Sequence, residues 1–284
     1  MTTKKTYHGR AGGTGWPALL LAACLLIGAL AGCGREGTPA PDDAGDALPV
    51  LVIGSDSYPP YNYEDAVGQP TGIDVELATE ACRRMGYRAE FVKIDWEEKT
   101  DLVESGEIDC LWACFSINGR ETLYNWTEPY MYSRQIVAVR ADSDIHTLAD
   151  LAGRRVAVQS TTKPEEIFLA HTDPRIPAIG ELISLPNREL IYPFLAKGYA
   201  DAIAAHETAV LQGIKDLELD YRILDETLLD VGLGVAFAKD DTRGIAEALS
   251  ATLAEMRRDG TAEKIIGKYL EDPARYLEVS SHGE

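Results

Sequence analysis

The sequence has few positive charges. Its 27 lysines and arginines stand against 46 aspartates and glutamates, which gives a net charge of −19 over 284 residues. Nucleic-acid phosphates are bound by basic patches, and anionic lipid surfaces attract clusters of lysine and arginine. The acidic balance therefore excludes nucleic acid as a partner and excludes a peripheral electrostatic attachment to a membrane.

Cysteine is also scarce, with five residues in the chain. Cys82, Cys110 and Cys114 form neither a Cys-x-x-Cys pair nor a cluster with histidine, so the usual spacing of a zinc site is absent. We expect three buried free thiols, although a Cys82–Cys110 bridge stays open if the first helix packs on the strand that holds Cys110. The sequence predicts no metal and no cofactor.

Long apolar runs are absent except for Trp16 to Ala31 near the N-terminus. Basic residues precede this run and Leu30-Ala31-Gly32-Cys33 ends it, a pattern that predicts a secretory signal peptide over residues 1–32. The ending resembles the bacterial lipobox, which implies cleavage before Cys33, lipidation of its thiol and an extracytoplasmic protein anchored to the cell membrane. The run is short for a bilayer span, which disfavours the alternative of an uncleaved anchor. Removal of three basic residues with the signal would take the net charge from −19 to −22.

Two successions of strands and helices with the same layout follow a Gly/Pro/Asp-rich tether over residues 33–47. Each alternates apolar strand runs with amphipathic helices, and a β-α-β-α-β order predicts a parallel sheet with right-handed crossovers. We therefore predict an α/β fold of two lobes with mostly parallel sheets, joined by a two-strand hinge near residues 133–136 and 230–234.

The predicted boundaries give lobe 1 residues 48–133 and 235–275, lobe 2 residues 134–234, and a C-terminal tail residues 276–284. In open α/β sheets, ligands bind at the carboxyl ends of the strands. Asp56, Tyr58 and Tyr61 follow the first strand on a loop that two prolines stiffen, and are therefore candidates for the binding site.

Residues 109–131 carry the clearest binding signal. The apolar run from Cys110 to Phe115 predicts a buried strand, Asn118-Gly119 predicts a turn, and Arg120 follows directly. The Ser116 hydroxyl, free backbone N–H groups and a guanidinium would form a carboxylate receptor, because arginine offers two parallel donors to two oxygens. A solvated arginine on a surface turn is the alternative.

Seven segments in order resemble the bacterial extracellular solute-binding proteins of family 3, the amino-acid-binding subunits of ABC importers. The likeness covers Leu48 to Leu270 and includes VIGSDSYPPYNY (52–63), GIDVELATEACRRMGY (72–87), LADLAGRRVAVQSTT (148–162) and LAKGYADAIAAHE (195–207). It implies two hinged lobes that close on an amino acid or a similar small carboxylate. It also implies that permease and ATPase subunits are the partners and that the binding protein is a monomer.

The resemblance implies roles for single residues. Tyr58 would pack on the ligand side chain, and Asp56 would meet a basic one. Ser116 and Arg120 would hold the α-carboxylate.

Two further pairs complete the implied site. Ala113 and Cys114 fall where backbone groups and small hydroxyls meet the α-ammonium. Thr161 and Thr162 would complete the carboxylate site from the second lobe.

The sequence departs from the family pattern in two places. Two residues rather than three separate Ile117 from Arg120. His206 stands where many amino-acid binders have an aspartate that pairs with the α-ammonium, and a neutral histidine supplies no negative charge. Either Glu207 or another carboxylate substitutes, or the ligand lacks an ordinary α-amino group. A structural His206, hydrogen-bonded to backbone at the strand end, is the alternative.

Two other function classes compete with a transport subunit. An enzyme on the same scaffold would draw acid–base chemistry from His206 with Glu207, Glu128 or His171. No Gly-x-Ser-x-Gly or His-Glu-x-x-His motif is present, so we predict no catalytic residues. A ligand-sensing subunit would need a separate membrane partner.

Overall fold

The computed structural model describes residues 48–278. The predicted signal peptide, Cys33, the tether and the end of the predicted tail from residue 279 lie outside the described residues. Within residues 48–278, no helix has both the length and the hydrophobicity needed to cross a membrane.

Residues 48–278 form twelve strands and seven α-helices. The strands are β1 Val50–Ser55, β2 Tyr63–Glu64, β3 Pro70–Thr71, β4 Arg88–Lys93, β5 Cys110–Ser116, β6 Asn125–Trp126, β7 Met131–Arg140, β8 Arg155–Gln159, β9 Glu181–Leu185, β10 Ala202–His206, β11 Tyr221–Ile223 and β12 Leu229–Phe237. The helices are α1 Ile73–Met85, α2 Lys99–Ser105, α3 Lys163–Ala170, α4 Ile191–Ala196, α5 Glu207–Asp216, α6 Ile245–Arg258 and α7 Thr261–Ile266.

The main sheet contains two parallel triplets of strands. Its order is β4-β1-β5-β12-β7-β10-β8-β9; β1 is parallel to β4 and β5, and β8 is parallel to β9 and β10. Between the triplets, β7 and β12 pair antiparallel, with Arg134 opposite Asp230. The predicted α/β fold with two parallel halves and a two-strand connection is confirmed, whereas the residues at which one lobe gives way to the other stay a prediction.

Helices pack on both faces of each triplet, and the central strand β5 is accordingly buried along its whole length. Helix α1 shows how the sequence specifies this packing: its apolar residues recur at helical spacing, and seven of its side chains are buried. Gly86 ends the helix with φ 76°, a left-handed conformation that glycine adopts without steric cost. The spacing of the apolar residues predicts a helix from Ile73 to Met85 that stops at Gly86, and both are confirmed.

Three local predictions differ in detail from the structure. The sequence predicts one helix from Arg188 to Ala196, but the structure has a 3-10 turn, Arg188–Leu190, followed by α4. Pro193 is the third residue of α4, where no intrahelical N–H bond is needed, so it does not interrupt the helix. The sequence also predicts a final helix from Glu263 to Leu270, whereas α7 covers Thr261–Ile266 and ends four residues earlier, with Gly267 as its cap. Tyr276 and Leu277 are the first two residues of the predicted tail, and both are buried in the hydrophobic core of the first triplet.

The three cysteines of the described residues are buried and free, as predicted. Helix α1 does pack on β5, but Cys82 and Cys110 form no bridge. Burial raises the pKa of the Cys82 thiol to about 11, which keeps it protonated and unreactive at neutral pH.

Candidate ligand-binding site

The carboxyl ends of β1 and β5 face those of β8 and β10. The space between them is called the cleft below. The loop that follows β1 carries Asp56 and Tyr58, and β5 ends at Ser116. From the opposite side, β8 ends at Gln159 and β10 ends at His206. The topology thus brings together residues that lie far apart in the sequence, at the position where α/β sheets bind ligands.

One end of the cleft, called the Arg120 end, contains Ser116, Arg120 and Glu166. Arg120 is 5% exposed, so it is not a solvated surface arginine. Its N–H donates to the Ile117 carbonyl at 2.8 Å, which closes the predicted Asn-Gly turn, and its Nη1 donates to the Ser116 carbonyl at 3.3 Å. The shortened spacing therefore still delivers the guanidinium to the end of β5.

The Arg120 guanidinium holds a carboxylate of the protein itself. Its Nη2 pairs with Glu166 of α3, on the opposite side of the cleft. Lys163 donates to the same carboxylate, and the Glu166 side chain is 42% exposed. The Arg120 guanidinium is therefore accessible to a carboxylate that lies on the opposite side of the cleft, as the Glu166 carboxylate does.

The other end of the cleft, called the His206 end, contains Ser133, Gln135 and His206. The imidazole Nδ1 lies 3.0 Å from the Ser133 hydroxyl oxygen, and Nε2 lies 2.8 Å from the Gln135 amide nitrogen. Nε2 therefore accepts and Nδ1 carries the proton, an assignment that follows from the hydrogen-bond network. The Ser116 hydroxyl lies 3.5 Å from Nε2 and connects the two ends.

Burial, together with the charges of Arg188 and Arg120, lowers the pKa of His206 to about 3. The imidazole is therefore neutral at physiological pH. No carboxylate is among its hydrogen-bond partners in the described residues. Its side-chain partners are side chains of the protein, Ser133, Gln135 and Ser116, so both the ligand-binding role and the structural alternative stay predictions.

Glu207 does not replace the missing aspartate. Its carboxylate is bonded to Arg134, with Nε at 3.0 Å, and to Arg275, with Nη2 at 3.3 Å. Glu128 and His171, the other candidates for an acid–base pair with His206, are exposed residues. The structure therefore brings none of the three together with His206 as a hydrogen-bonded pair.

Asp56 and Tyr58 form the floor of the cleft with two residues that the sequence did not single out. Asp56 Oδ2 accepts from the Gln159 amide at 2.9 Å and lies 3.7 Å from an Arg188 nitrogen. The Arg188 Cζ lies 3.1 Å from the centroid of the Tyr58 ring, a cation–π contact. Tyr58 also accepts from the His206 N–H at 3.2 Å.

The sequence contains a signal that could have pointed to Gln135, Gln159 and Arg188 as cleft residues. Gln135 and Gln159 are buried polar residues next to apolar stretches of β7 and β8, and Arg188 comes three residues after the end of β9. Each position marks a strand that reaches the cleft, but the sequence does not tell which strand ends face one another.

Thr161 and Thr162 lie at the edge of the cleft, and both hydroxyls bond to the protein. Thr161 Oγ1 accepts from Lys99 Nζ at 2.8 Å, a bond that crosses the cleft. Thr162 Oγ1 donates to the Gln159 carbonyl at 2.6 Å. Burial, with the nearby Arg120 charge, lowers the pKa of Lys99 to about 8.

Three predicted site residues lie behind the cleft rather than in it. Tyr61 is fully buried, with its hydroxyl oxygen 2.6 Å from Thr208 Oγ1. The Cys114 N–H donates to Asp74 Oδ2 at 2.7 Å, so it is not a free donor for a ligand. Ala113 packs in a hydrophobic cluster on the opposite face of β5. The ligand-binding roles of all ten predicted residues stay predictions.

Side chains fill the centre of the cleft. The cavity there, lined by Tyr58, Gln135, Gln159 and Arg188 among others, has a volume of about 10 Å³, which is room for about one water molecule. A larger ligand must displace these side chains or separate the lobes. Residues 48–278 contain no group of three histidine, cysteine, aspartate or glutamate side chains arranged to hold a metal ion.

Comparison with known proteins agrees with the fold and the cleft. Residues 50–272 match the model of the bacterial extracellular solute-binding proteins, family 3. The chain belongs to this family.

Similar proteins are binding proteins by name. The histidine-binding periplasmic protein of Salmonella typhimurium is 32% identical over 236 residues, covering 79% of this chain and 89% of the relative. The structure of an ancestral arginine-binding protein bound to arginine superposes with a TM-score of 0.72 at 25% identity, covering 79% of this chain and 100% of the other. An ancestral amino-acid-binding protein described as a precursor of cyclohexadienyl dehydratase gives 0.70 at 25% identity, covering 78% and 96%.

Proposed function

We propose that the protein is the extracytoplasmic binding subunit of an ABC importer and captures an amino acid or a related small carboxylate in the cleft. The observation that carries the proposal is the buried Arg120 guanidinium, which pairs with the Glu166 carboxylate across the cleft. A ligand carboxylate would replace Glu166 there. Because Arg120 is buried, charge-assisted hydrogen bonds between its guanidinium and a ligand carboxylate would be stronger than the same bonds in water.

The proposal assigns roles to the residues that line the cleft. Arg120 and Ser116 would bind the ligand carboxylate, with Thr161 and Thr162 at the second lobe. Tyr58 would pack on the remainder of the ligand.

The cellular setting is part of the same proposal. Residues 1–32 would be a signal peptide and Cys33 the lipid-bearing residue, so that a monomeric binding protein stays at the membrane beside its permease and ATPase partners. The names of the relatives support a periplasmic or extracytoplasmic binding role. Binding without catalysis is favoured because none of the hydrogen bonds of the His206 side chain within residues 48–278 goes to a carboxylate that could support acid–base chemistry.

Calorimetric titration and thermal unfolding of the full-length chain test this function. A panel of amino acids and small organic acids should contain a narrow set that raises the melting temperature, because a ligand that binds only the folded state stabilises it. Arg120→Ala should weaken binding of that set by about 100-fold or more, because two charge-assisted bonds of roughly 1.5–3 kcal/mol each are lost.

Arg154→Ala is the matched control, since Arg154 pairs with Asp144 on the surface. It should bind like the parent protein. If no amino acid or carboxylate binds, or if Arg120→Ala binds as well as the control, the proposed function is wrong. A ligand recovered chemically altered would instead favour an enzyme.

A further inference from the structure

Arg188 is a buried cation in the cleft that the proposed function does not use. It is 8% exposed and follows β9 in the 3-10 turn Arg188–Leu190. Its nearest carboxylate oxygen, Asp56 Oδ2, is 3.7 Å away, which is beyond hydrogen-bond distance. Its Nη1 is buried and has no hydrogen-bond partner among residues 48–278. Because buried donors are nearly always paired, this guanidinium has unused capacity for an acceptor.

The surroundings of Arg188 allow its head group to move and a ligand to approach. It lines the central cavity between the lobes. It also lines two neighbouring cavities of about 100 Å³ and about 530 Å³. The side chain therefore sits where three spaces meet, and a small ligand does not have to displace backbone to reach it.

The buried charges in the cleft become unbalanced once Glu166 leaves it. In the part of the chain that the structure describes, the buried cations at the cleft are Lys99, Arg120, Lys163 and Arg188, and the buried carboxylate there is Asp56, 3.7 Å from Arg188. Glu166 now pairs with both Arg120 and Lys163, and Glu165 also acts on Lys99. The Glu166 side chain is 42% exposed, so it can turn into water when a ligand takes its place on Arg120. Buried charges without counter-charges are costly.

This imbalance favours one class of ligand. A zwitterionic amino acid has no net charge and would leave the excess of positive charge uncompensated. The His206 end offers an α-ammonium only neutral acceptors, the imidazole and the Gln135 amide oxygen, with guanidinium charges nearby that lower the pKa of His206. A ligand with two negative charges compensates both guanidinium groups.

We propose that Arg188 is a second anion receptor and that the cleft takes a small dicarboxylate, with one carboxylate on Arg120 and the other on Arg188. This inference rests on the proposed function and narrows its ligand class. Asp56 Oδ1 and Gln159 Oε1 are buried acceptors without partners. They are available to a hydroxyl or amino group on the ligand, so dicarboxylates with and without an amino group are both tested.

The experiment is a calorimetric titration of the full-length chain with matched pairs. L-aspartate and L-asparagine, and L-glutamate and L-glutamine, differ only in the second carboxylate. Succinate and glutarate lack the amino group, and L-histidine and L-arginine represent basic side chains. At one chain length at least, we expect the dicarboxylate to bind about tenfold or more tighter than its monoamide, because a guanidinium binds a carboxylate through two charge-assisted bonds.

Two variants assign this preference to Arg188. Arg188→Gln should reduce the ratio of the affinities for the dicarboxylate and the monoamide to near unity. Arg188→Lys keeps the charge without the two-pronged geometry and should keep part of the ratio. Arg154→Ala should leave the ratio unchanged.

The outcomes distinguish a failure of the dicarboxylate inference from a failure of the proposed function. If a monoamide or a basic amino acid binds as tightly as the dicarboxylates, the dicarboxylate inference is wrong and the proposed function stands. An unchanged ratio in Arg188→Gln also overturns the role of Arg188. If no compound of this panel binds, the dicarboxylate inference is wrong, and the proposed function fails only if the wider panel of amino acids and organic acids shows no binding either.

Discussion

The Arg120 end and the His206 end of the cleft bury ionisable groups with opposite results. Arg120 stays charged beside the Glu166 carboxylate, whereas burial and neighbouring guanidinium charges lower the pKa of His206 to about 3 and keep it neutral. The Ser116 side chain, 3.5 Å from the imidazole, belongs to the boundary between them. The contrast teaches that burial acts differently on groups of different intrinsic pKa: a guanidinium is not deprotonated in proteins, whereas an imidazole with an ordinary pKa of 6.5 loses its proton when burial and nearby cations oppose the charge.

The largest effect is expected from a carboxylate placed at the His206 end. His206→Asp would give an α-ammonium the negative partner that the imidazole lacks. The ratio of the affinities for L-glutamate and glutarate should shift toward L-glutamate by about 100-fold, since a buried charge-assisted bond contributes roughly 1.5–3 kcal/mol.

His206→Asn is the matched control, because it has the shape of aspartate without the charge. Calorimetric titration of both variants measures the ratio. An identical ratio in His206→Asp and His206→Asn would show that this position does not meet the amino group.

A smaller effect is expected from removing the carboxylate at the Arg120 end. Glu166→Gln leaves Arg120 without its internal competitor, so a ligand carboxylate no longer has to displace a charged partner. The tightest ligand of the panel should then bind about tenfold more tightly, because the ligand-free state in which residue 166 occupies the Arg120 guanidinium is less stable. Glu181→Gln, an exposed carboxylate on β9, is the control. Weaker binding in Glu166→Gln would mean that Glu166 contacts the ligand rather than competing with it.

The smallest effect concerns acid stability and compares His206 with Asp74. His206 has a folded pKa of about 3 against an ordinary value of 6.5, so between these values the unfolded chain binds a proton that the folded protein excludes. The free energy of unfolding therefore falls as the pH falls from 6.5 toward 3.

Asp74 has the opposite sign. Burial raises its pKa from 3.8 to about 6, so the folded protein holds a proton that the unfolded chain has released. Its contribution favours the folded state below pH 3.8 and is lost as the pH rises toward 6.

His206→Gln removes one of these two contributions. The decrease in the free energy of unfolding between pH 6.5 and 4.5 should become smaller by up to about 1 kcal/mol per pH unit. Urea unfolding at a series of pH values measures it, with the exposed His146→Gln as control. An equal decrease in the parent and in His206→Gln would show that the imidazole is not kept neutral by the fold.

Much of the fold could be predicted because its signals are local. Helix α1 and its stop at Gly86 follow from apolar spacing and glycine conformation. The turn that delivers Arg120 follows from Asn118-Gly119, and the bond from the Arg120 N–H to Ile117 spans three residues. The shortened spacing before Arg120 did not change the outcome, since a tight turn reaches the same strand end.

The sequence by itself determined the order of strands and helices, the turn before Arg120, and the replacement of an expected aspartate by His206. Only the tertiary structure decided which partners these groups have. Glu166 reaches Arg120 across 46 positions of sequence, Gln135 reaches His206 across 71, and Gln159 reaches Asp56 across 103. Glu207, adjacent to His206 in the chain, pairs with Arg134 instead. The surroundings of each group depend on these distant contacts, because the two sides of the cleft bring Arg120 a carboxylate and leave His206 buried beside guanidinium charges that keep its imidazole neutral.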